Sequence, residues 1–184
     1  FDVLKPEVDF TISTSLKWMC GTAGAGILHV AAPLIARCAP GLRGWFSQPD
    51  PFNWDFNKFS YATDIRRFDH GTPGVVAAVA SLAALDWHAA QDKAAILAHN
   101  RTLTARIREG VGALGLPLVT PAAEGARGGS IMVRLPDRLP APEVLARFRE
   151  NGISADARSQ TLRLSPGVLT TLAGTDHMLE VLGA

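Results

Sequence analysis

One lysine near the start of the chain is the first residue that could do chemistry, because it is the only charged side chain between Phe10 and Val30. Burial among apolar residues disfavours the charged form of a lysine amine and lowers its pKa. Such an amine is a nucleophile that can form a Schiff base with a carbonyl compound. Lys17 is therefore a candidate catalytic residue. The spacing leaves an alternative open, in which Lys17 caps a hairpin and extends its amine into water.

Two predicted strands must position this lysine. Residues 8–15 and 26–31 are rich in β-branched and hydroxyl side chains, which suit extended segments. Gly21 and Gly24 lie between them and Gly26 opens the second, so that the backbone can bend or approach another group closely there. The pattern predicts an antiparallel hairpin with Lys17 at its turn.

The residues around Lys17 resemble a known signature. Ser-Leu-Lys-Trp followed by Gly-x-Ala-Gly-x-Gly, within residues 15–26, is similar to the lysine signature of the aminotransferase class V family of pyridoxal-phosphate (PLP) enzymes. In that family the lysine forms the internal aldimine, and a Ser or Thr three positions earlier, here Thr14, binds the cofactor phosphate. The residue before the lysine is usually His, or Tyr in kynureninase. Leu16 stands there in this chain, and leucine cannot donate a hydrogen bond.

A second candidate, Thr72, lies at a predicted helix start. Thr72 followed by Pro73 is typical of an N-cap and a first helical residue, and such a helix end can bind phosphate. An ordinary cap that binds nothing is the alternative. Arg-Phe-x-x-Gly-Thr-Pro, residues 67–73, resembles the second signature of the same family, in which the threonine reaches the cofactor phosphate of the neighbouring subunit. The resemblance therefore implies a homodimer.

Arg163 is the candidate for binding a substrate carboxylate. Leu-Arg-Leu-Ser, residues 162–165, resembles the Arg-hydrophobic-Ser signature of the family, whose arginine binds the substrate α-carboxylate. A planar guanidinium suits this role because it donates two parallel hydrogen bonds to a carboxylate. A strand arginine that faces solvent is the alternative. Arg158 resembles the arginine of an Asp-x-Arg motif in kynureninase-like members; it is a weaker candidate that could instead pair with Asp156.

An aromatic stretch over residues 44–59 is predicted to be irregular. Its six aromatic side chains could pack on their own core or form a wall of the substrate site. Gly-Trp at 44–45 resembles a segment of kynureninases in which the tryptophan lies against cofactor or substrate, so Trp45 is a candidate contact for both. Kynureninases have a histidine three residues later, where this chain has Gln48.

The remaining pattern predicts two helical stretches and a small α+β domain. Helical periodicity runs from Pro73 to about Leu85 and again from about Ile96 to Val111, with a bend near 86–92. Further on, helices at 142–151 and 175–182 alternate with strands at 116–120, 130–135, 153–158 and 161–165. The resemblance implies an α/β protein of fold type I. Residues 1–110 would be the C-terminal part of the PLP-binding large domain, with a mixed sheet and a linking helix, and residues 111–184 the small α+β domain.

The start of the chain bears on how much of an enzyme is present. Phe1–Val3 resembles the segment just after the family's aspartate, which pairs with the pyridine nitrogen. Neither that aspartate nor the residue that stacks on the cofactor ring is in this sequence. The resemblance therefore implies the C-terminal half of an enzyme. The alternative function is a non-catalytic fragment or half-protein that needs a missing N-terminal half to bind PLP.

Composition narrows the class of protein. The formal net charge of +1 indicates neither nucleic acid nor an anionic membrane as a partner. Two cysteines, Cys20 and Cys38, are too few for a disulfide framework and fit a reducing cytoplasm. The five histidines lack metal-ligand spacing, so no metal site is predicted.

These observations predict a PLP-dependent enzyme acting on an amino acid, nearest the kynureninase-like branch. Lys17 would hold the cofactor and later act as general base on the α-proton. Transamination, β-elimination, racemisation and kynurenine hydrolysis use the same residues and stay open. A cysteine desulfurase would carry a reactive cysteine shortly before the arginine motif, and residues 153–162 contain none.

Overall fold

The computed structural model describes residues 8–55 and 57–184. It divides into two compact units, Phe1–Ala90 and Gln91–Ala184. The connector predicted at Phe1–Pro6, and the resemblance noted at Phe1–Val3, lie outside the described residues.

The first unit begins with the predicted hairpin. Strand β1 (Phe10–Thr14) pairs antiparallel with β2 (Gly26–Val30), so that Thr14 lies opposite Gly26. The hairpin prediction is confirmed. The described residues of this unit form one sheet of two antiparallel strands, whereas the resemblance implied part of a mixed sheet.

Short helical segments follow the hairpin. They are α1 (Ala32–Ile35), a 3₁₀ turn at Trp45–Ser47 and a second 3₁₀ turn at Ile65–Phe68. The long helix α2 (Val75–Ala90) comes next. The rest of residues 36–55 and 57–74 is irregular, as predicted for the aromatic stretch.

A buried arginine organises these irregular segments. Arg67 is 8% exposed, and its guanidinium donates to the carbonyl oxygens of Ala62, Cys38 and Ile35. It also lies over the ring of Tyr61, 5.6 Å from the centroid. Because buried backbone carbonyls need donors, one guanidinium can hold together two segments, residues 35–38 and Ala62, that lack a ladder of their own.

The start of α2 differs from the prediction. The first intrahelical bond runs from the Ala78 amide to the Gly74 carbonyl, at 3.2 Å, and the helix begins at Val75. Thr72 as N-cap and Pro73 as first helical residue are therefore wrong. Thr72 lies two residues upstream of Gly74, whose carbonyl is the first helical acceptor.

The second unit is a three-stranded antiparallel sheet covered by helices. Its elements in chain order are α3 (Lys93–Ala113), β3 (Ile131–Arg134), α4 (Ala141–Glu150), β4 (Asp156–Arg158), β5 (Thr161–Leu164) and α5 (Leu172–Gly183). The strand order is β3-β5-β4. These helices and strands confirm the predicted small α+β arrangement.

The core of this unit lies between the helices and one face of the sheet. Val111, Val133, Val144, Phe148 and Leu162 are fully buried, and they come from four elements, with both Val144 and Phe148 on α4. Burial of such side chains is the main favourable contribution to folding, so this unit has a core of its own.

The strand predicted at 116–120 is reduced to a single bridge. Leu118 pairs with Val133, and the Val119 amide donates to the Met132 carbonyl at 2.9 Å. Pro117 cannot donate to a ladder, although its carbonyl accepts from the Arg134 amide. The missing donor explains why the pairing does not extend into a strand.

The helix break predicted near residues 86–92 is confirmed at Gln91 and Asp92, where the Asp92 carboxylate caps α3 by accepting from the Ala94 amide. The compact units divide at this break, before the domain boundary predicted at residue 110, because α3 packs its buried face on the second unit. The prediction concerned the domains of a complete enzyme and stays a prediction. Among the described residues, no helix is both long and apolar enough to cross a bilayer.

Two leucines of the second unit test the position of its core. We expect Leu162→Ala to lower the free energy of unfolding by about 2–5 kcal/mol, because Leu162 is fully buried and its loss leaves a cavity. The matched control is Leu169→Ala, since Leu169 is 88% exposed and its truncation should cost within about 0.5 kcal/mol. Urea unfolding followed by circular dichroism measures both, and equal losses would contradict this core.

Candidate active site

Lys17 lies at the tip of the β1–β2 connection with its side chain exposed. Its carbonyl accepts a hydrogen bond from the Cys20 amide at 3.0 Å, which closes a tight turn. The neighbouring Leu16 and Trp18 are 44% and 49% exposed and so do not enclose the amine. The shelter expected from the apolar sequence is therefore not supplied by the described residues.

Three hydroxyl groups fasten this turn to α2. Ser81 Oγ lies 3.3 Å from Ser15 Oγ and 3.1 Å from Thr22 Oγ1, and it also accepts from the Thr22 amide at 3.1 Å. Ser15 Oγ donates to the carbonyl of Thr22 at 2.9 Å. Ser15 and Ser81 are 2% and 1% exposed, so this hydroxyl cluster (Ser15, Thr22 and Ser81) is dry and its bonds are costly to break.

The glycines of the turn allow this close approach. A Cβ at Gly21 would lie 2.7 Å from Ser15 Cβ and 2.9 Å from Ser81 Oγ. Gly24 has a φ of +90°, and a Cβ there would lie 3.4 Å from Ala77 Cβ on α2. Glycine is required at position 21 by space and at position 24 by backbone conformation.

Thr14 and Thr72, the two predicted phosphate ligands, are exposed in the first unit. Thr14 Oγ1 accepts from the Leu16 amide at 3.3 Å, at the base of the lysine turn. Thr72 lines a shallow groove together with Thr22 and Gly24 of the same connection. The structure thus brings the segment of Thr72 to the glycine-rich turn that follows Lys17.

Trp45 lies beside the segment that leads to Thr72. Its indole Nε1 is 3.8 Å from the position of a Cβ on Gly71, and the Ser47 hydroxyl donates to the Asp69 carbonyl. The indole also contacts the rings of Phe52 and Trp54, with centroids at 5.9 and 6.2 Å. Phe52 and Trp54 are 67% and 61% exposed, so the cluster both packs and presents an open aromatic surface.

Charge near this segment is concentrated at the second 3₁₀ turn. Asp64 caps the turn by accepting from the Arg66 amide at 3.0 Å, and it also accepts from Arg66 Nε at 3.0 Å. This side-chain hydrogen bond lowers the pKa of Asp64 and raises the pKa of Arg66. Both groups are exposed, and the pair serves to hold the turn that precedes Thr72.

Arg163 lies on the exposed face of the sheet in the second unit. Its guanidinium makes a bidentate ion pair with Asp156, which is its direct neighbour across β4 and β5. The sequence suggested that Asp156 could pair with Arg158, and this is corrected by the register, which sets Arg158 opposite Thr161.

The structure therefore gathers part of the predicted site. The turn of Lys17 and Thr14, the segment of Thr72 and the Trp45 cluster belong to the first unit. Arg163 belongs to the second. The roles of these residues stay predictions.

Sequence reasoning missed residues that hold the candidate ones in place. Ser81 had a signal, because it is the one hydroxyl in the apolar run Val75–Leu85. Arg67 was noted only as part of a signature, and its contacts with the carbonyls of Ile35 and Cys38 join segments that no spacing links. Asp156 was paired with the wrong arginine because the two-residue connection after β4 was not recognised.

The sequence of this chain is similar to the sequences of known proteins. Residues 1–163 match the family model described as Aminotransferase class-V. A kynureninase of Deinococcus radiodurans is 35% identical over 156 residues, which are 82% of this chain and 37% of the kynureninase. An uncharacterized aminotransferase of Bacillus subtilis, YcbU, is 26% identical over 183 residues, which cover 100% of this chain and 47% of that protein. The resemblance stated from the motifs is confirmed.

Solved structures agree in fold. The apo cysteine desulfurase of Thermococcus onnurineus NA1 superposes with a TM-score of 0.86 at 21% identity, over 98% of this chain and 48% of that one. The cystine C-S lyase C-DES, in complex with cysteine persulfide, superposes with a TM-score of 0.85 at 20% identity, over 100% of this chain and 48% of that one. The predicted fold-type I architecture is confirmed. This chain spans about half the length, or less, of the relatives that it matches.

A matched pair of glycines tests the contact between the lysine turn and α2. We expect Gly21→Ala to lower the free energy of unfolding by about 1–3 kcal/mol, because its Cβ would collide with Ser15 and Ser81. Gly41→Ala should be near neutral, since a Cβ there meets nothing within 4 Å. Urea unfolding and amide hydrogen exchange over residues 15–25 measure the effect; unchanged exchange in Gly21→Ala would contradict the contact.

Proposed function

Because the chain belongs to the aminotransferase class V family, which uses pyridoxal phosphate, we propose that Lys17 attaches this cofactor and that the complete protein acts on an amino acid. The observation that carries the proposal is the exposed Lys17 amine at the tip of a turn that buried hydroxyls hold against α2. A fixed turn with a free amine is what a covalent attachment point requires.

The chemistry of the donor set supports the assignment. An amine suits an aldehyde, and exposed hydroxyls suit a phosphate group. Thr14 stands at the base of the lysine turn, and Thr72 stands ahead of the α2 N-terminus, whose positive end favours an anion. We propose that these two threonines bind the cofactor phosphate, one in each subunit of a homodimer.

Trp45 and Arg163 complete the proposed site. The cluster of Trp45, Phe52 and Trp54 presents exposed rings that suit a planar ligand, and we assign Trp45 to cofactor and substrate contact. We assign Arg163 to the α-carboxylate of the substrate, because its guanidinium can orient a planar anion through two hydrogen bonds. When bound, the cofactor supplies an electron sink for the bond that breaks. Lys17 would move the proton at the substrate α-carbon through its ε-amine.

We propose three reaction types that occur in the family: the complete protein is an aminotransferase, a lyase or a kynureninase-like hydrolase. Two positions argue against ordinary kynurenine hydrolysis. Leu16 and Gln48 stand where kynureninases have a tyrosine and a histidine, whose side chains make hydrogen bonds. The absence of cysteine from residues 153–162 argues against desulfuration. A cytoplasmic location stays a prediction from the two free cysteines.

The exposure of the candidate residues favours a second candidate function. The chain spans about half the length of its matched relatives, and Lys17, Thr14 and Thr72 are all exposed in it. We therefore propose, as the alternative, a non-catalytic half that binds PLP only together with a polypeptide supplying the N-terminal half.

Cofactor attachment tests the role of Lys17. After incubation of the full-length protein with PLP and reduction with borohydride, we expect the added mass on Lys17 and its loss in Lys17→Ala, because the ε-amine of Lys17 is the proposed attachment point. Lys58→Ala is the control, since Lys58 is an exposed lysine of the same unit that pairs with Asp55. Mass spectrometry of peptides measures both, and labelling that persists in Lys17→Ala would refute the assignment.

The same labelling separates the two candidate functions. We expect weak labelling of this 184-residue chain by itself, because the described residues leave Lys17 uncovered. If labelling rises on addition of the N-terminal half as a separate polypeptide, the half-protein reading is supported. Full labelling of the isolated chain would exclude it.

Ligand affinity tests the role of Arg163. In the cofactor-loaded full-length protein, we expect Arg163→Gln to weaken L-alanine binding by about tenfold or more, because two charge-assisted hydrogen bonds are lost. Ethylamine, which lacks the carboxylate, should bind equally to both forms. Spectral titration of the cofactor measures affinity, and Arg158→Gln is the comparison. A larger effect in Arg158→Gln would transfer the role to Arg158.

A further inference from the structure

The carboxylate of Asp156 lies on the arginine assigned to the substrate carboxylate. Asp156 Oδ1 accepts from Arg163 Nε at 2.8 Å, and Oδ2 accepts from Nη2 at 2.5 Å. Two parallel hydrogen bonds of this kind fix both the distance and the plane of a guanidinium. They occupy the donor edge formed by Nε and Nη2.

The backbone, rather than a chance rotamer, makes this pair. Asp156 is the direct partner of Arg163 in the β4–β5 register, and a two-residue connection with Ser159 at a φ of +49° sets that register. Leu162 and Leu164, on either side of Arg163, are buried in the core. A shift by one residue would expose them, so the register is strongly determined.

The geometry leaves a second edge of the guanidinium for a ligand. Nη1 and the remaining hydrogen of Nη2 form that edge, and within residues 8–55 and 57–184 no acceptor lies on Nη1. A planar carboxylate needs two parallel donors, and this end-on edge supplies them.

We propose that Asp156 is a positioning and selectivity residue that clamps Arg163 so that only its Nη1–Nη2 edge meets an incoming carboxylate. The inference rests on the proposed role of Arg163. The negative charge of Asp156 also disfavours a second, doubly charged anion beside the guanidinium. The site therefore takes the single charge of a carboxylate in preference to sulfate or phosphate.

The expected size of the change in ligand affinity follows from the exposure of the Arg163 and Asp156 side chains. The side chains of Arg163 and Asp156 are 48% and 37% exposed, so water competes with the pair. We expect changes in affinity of about threefold to fivefold rather than the larger losses of a buried pair.

The experiment compares Asp156→Asn with the parent in the cofactor-loaded full-length protein. L-alanine, ethylamine and sodium sulfate are the probes, titrated against the cofactor spectrum. In Asp156→Asn we expect the dissociation constant of L-alanine to rise about threefold to fivefold, that of ethylamine to stay the same, and sulfate to compete more strongly. Asp137→Asn, an exposed aspartate of the same unit, should change none of the three.

Several results would overturn the inference. They are an unchanged or tighter affinity for L-alanine, or an equal loss for L-alanine and ethylamine, which would indicate general damage. Asp156→Asn should add nothing in an Arg163→Gln background, because it acts through that arginine. If Arg163→Gln itself leaves L-alanine binding intact, the proposed role of Arg163 fails. If Arg163→Gln weakens L-alanine binding and Asp156→Asn leaves it unchanged, the proposed role of Arg163 stands and the clamp by Asp156 fails.

A measurement on the parent protein does not depend on the variant folding. We expect ¹⁵N spectra of arginine side chains, assigned with Arg163→Gln, to show slowed rotation about the Nε–Cζ bond of Arg163. A single averaged Nη signal for Arg163 would overturn the clamp.

Discussion

A buried set of hydrogen bonds between Ser15, Thr22 and Ser81 holds the lysine turn against α2, and the candidate site depends on it. Hydroxyls buried without partners would be costly, so the cluster forms only when the turn and the helix meet. It places an exposed lysine on a fixed backbone. The same contact requires a glycine at position 21, where no Cβ fits. The position of Lys17 thus depends in part on Ser81, a side chain far from the lysine in sequence.

The other half of the proposed site depends on a different kind of constraint. Arg163 is positioned by strand register, because its neighbours Leu162 and Leu164 must stay in the core. That register brings Asp156 opposite Arg163 and leaves one edge of the guanidinium open. A core of several helices and a sheet therefore orients a surface arginine without any contact to the charged group itself.

The comparisons and the site answer different questions. Membership of the class V family and the superposition on cysteine desulfurases establish ancestry and fold. The desulfurase likeness, at 21% identity, shows the fold alone, and this chain lacks a cysteine where the motif reading expected one for that chemistry. The kynureninase relative has a closer sequence, yet Leu16 and Gln48 depart from the kynureninase pattern. The roles of the site residues stay predictions that ligand binding can decide.

The sequence alone determined the local elements and the family. Periodicity and glycine positions predicted the hairpin, a break near residues 86–92, and most helices and strands of the second unit, because these depend on neighbours along the chain. Only the tertiary structure decided which side chains hold the candidate residues. Ser81 on the lysine turn and Arg67 on the carbonyls of Ile35 and Cys38 are contacts between segments distant in sequence, and Asp156 on Arg163 is set by register. Residue spacing carries no information on such contacts until the chain has folded.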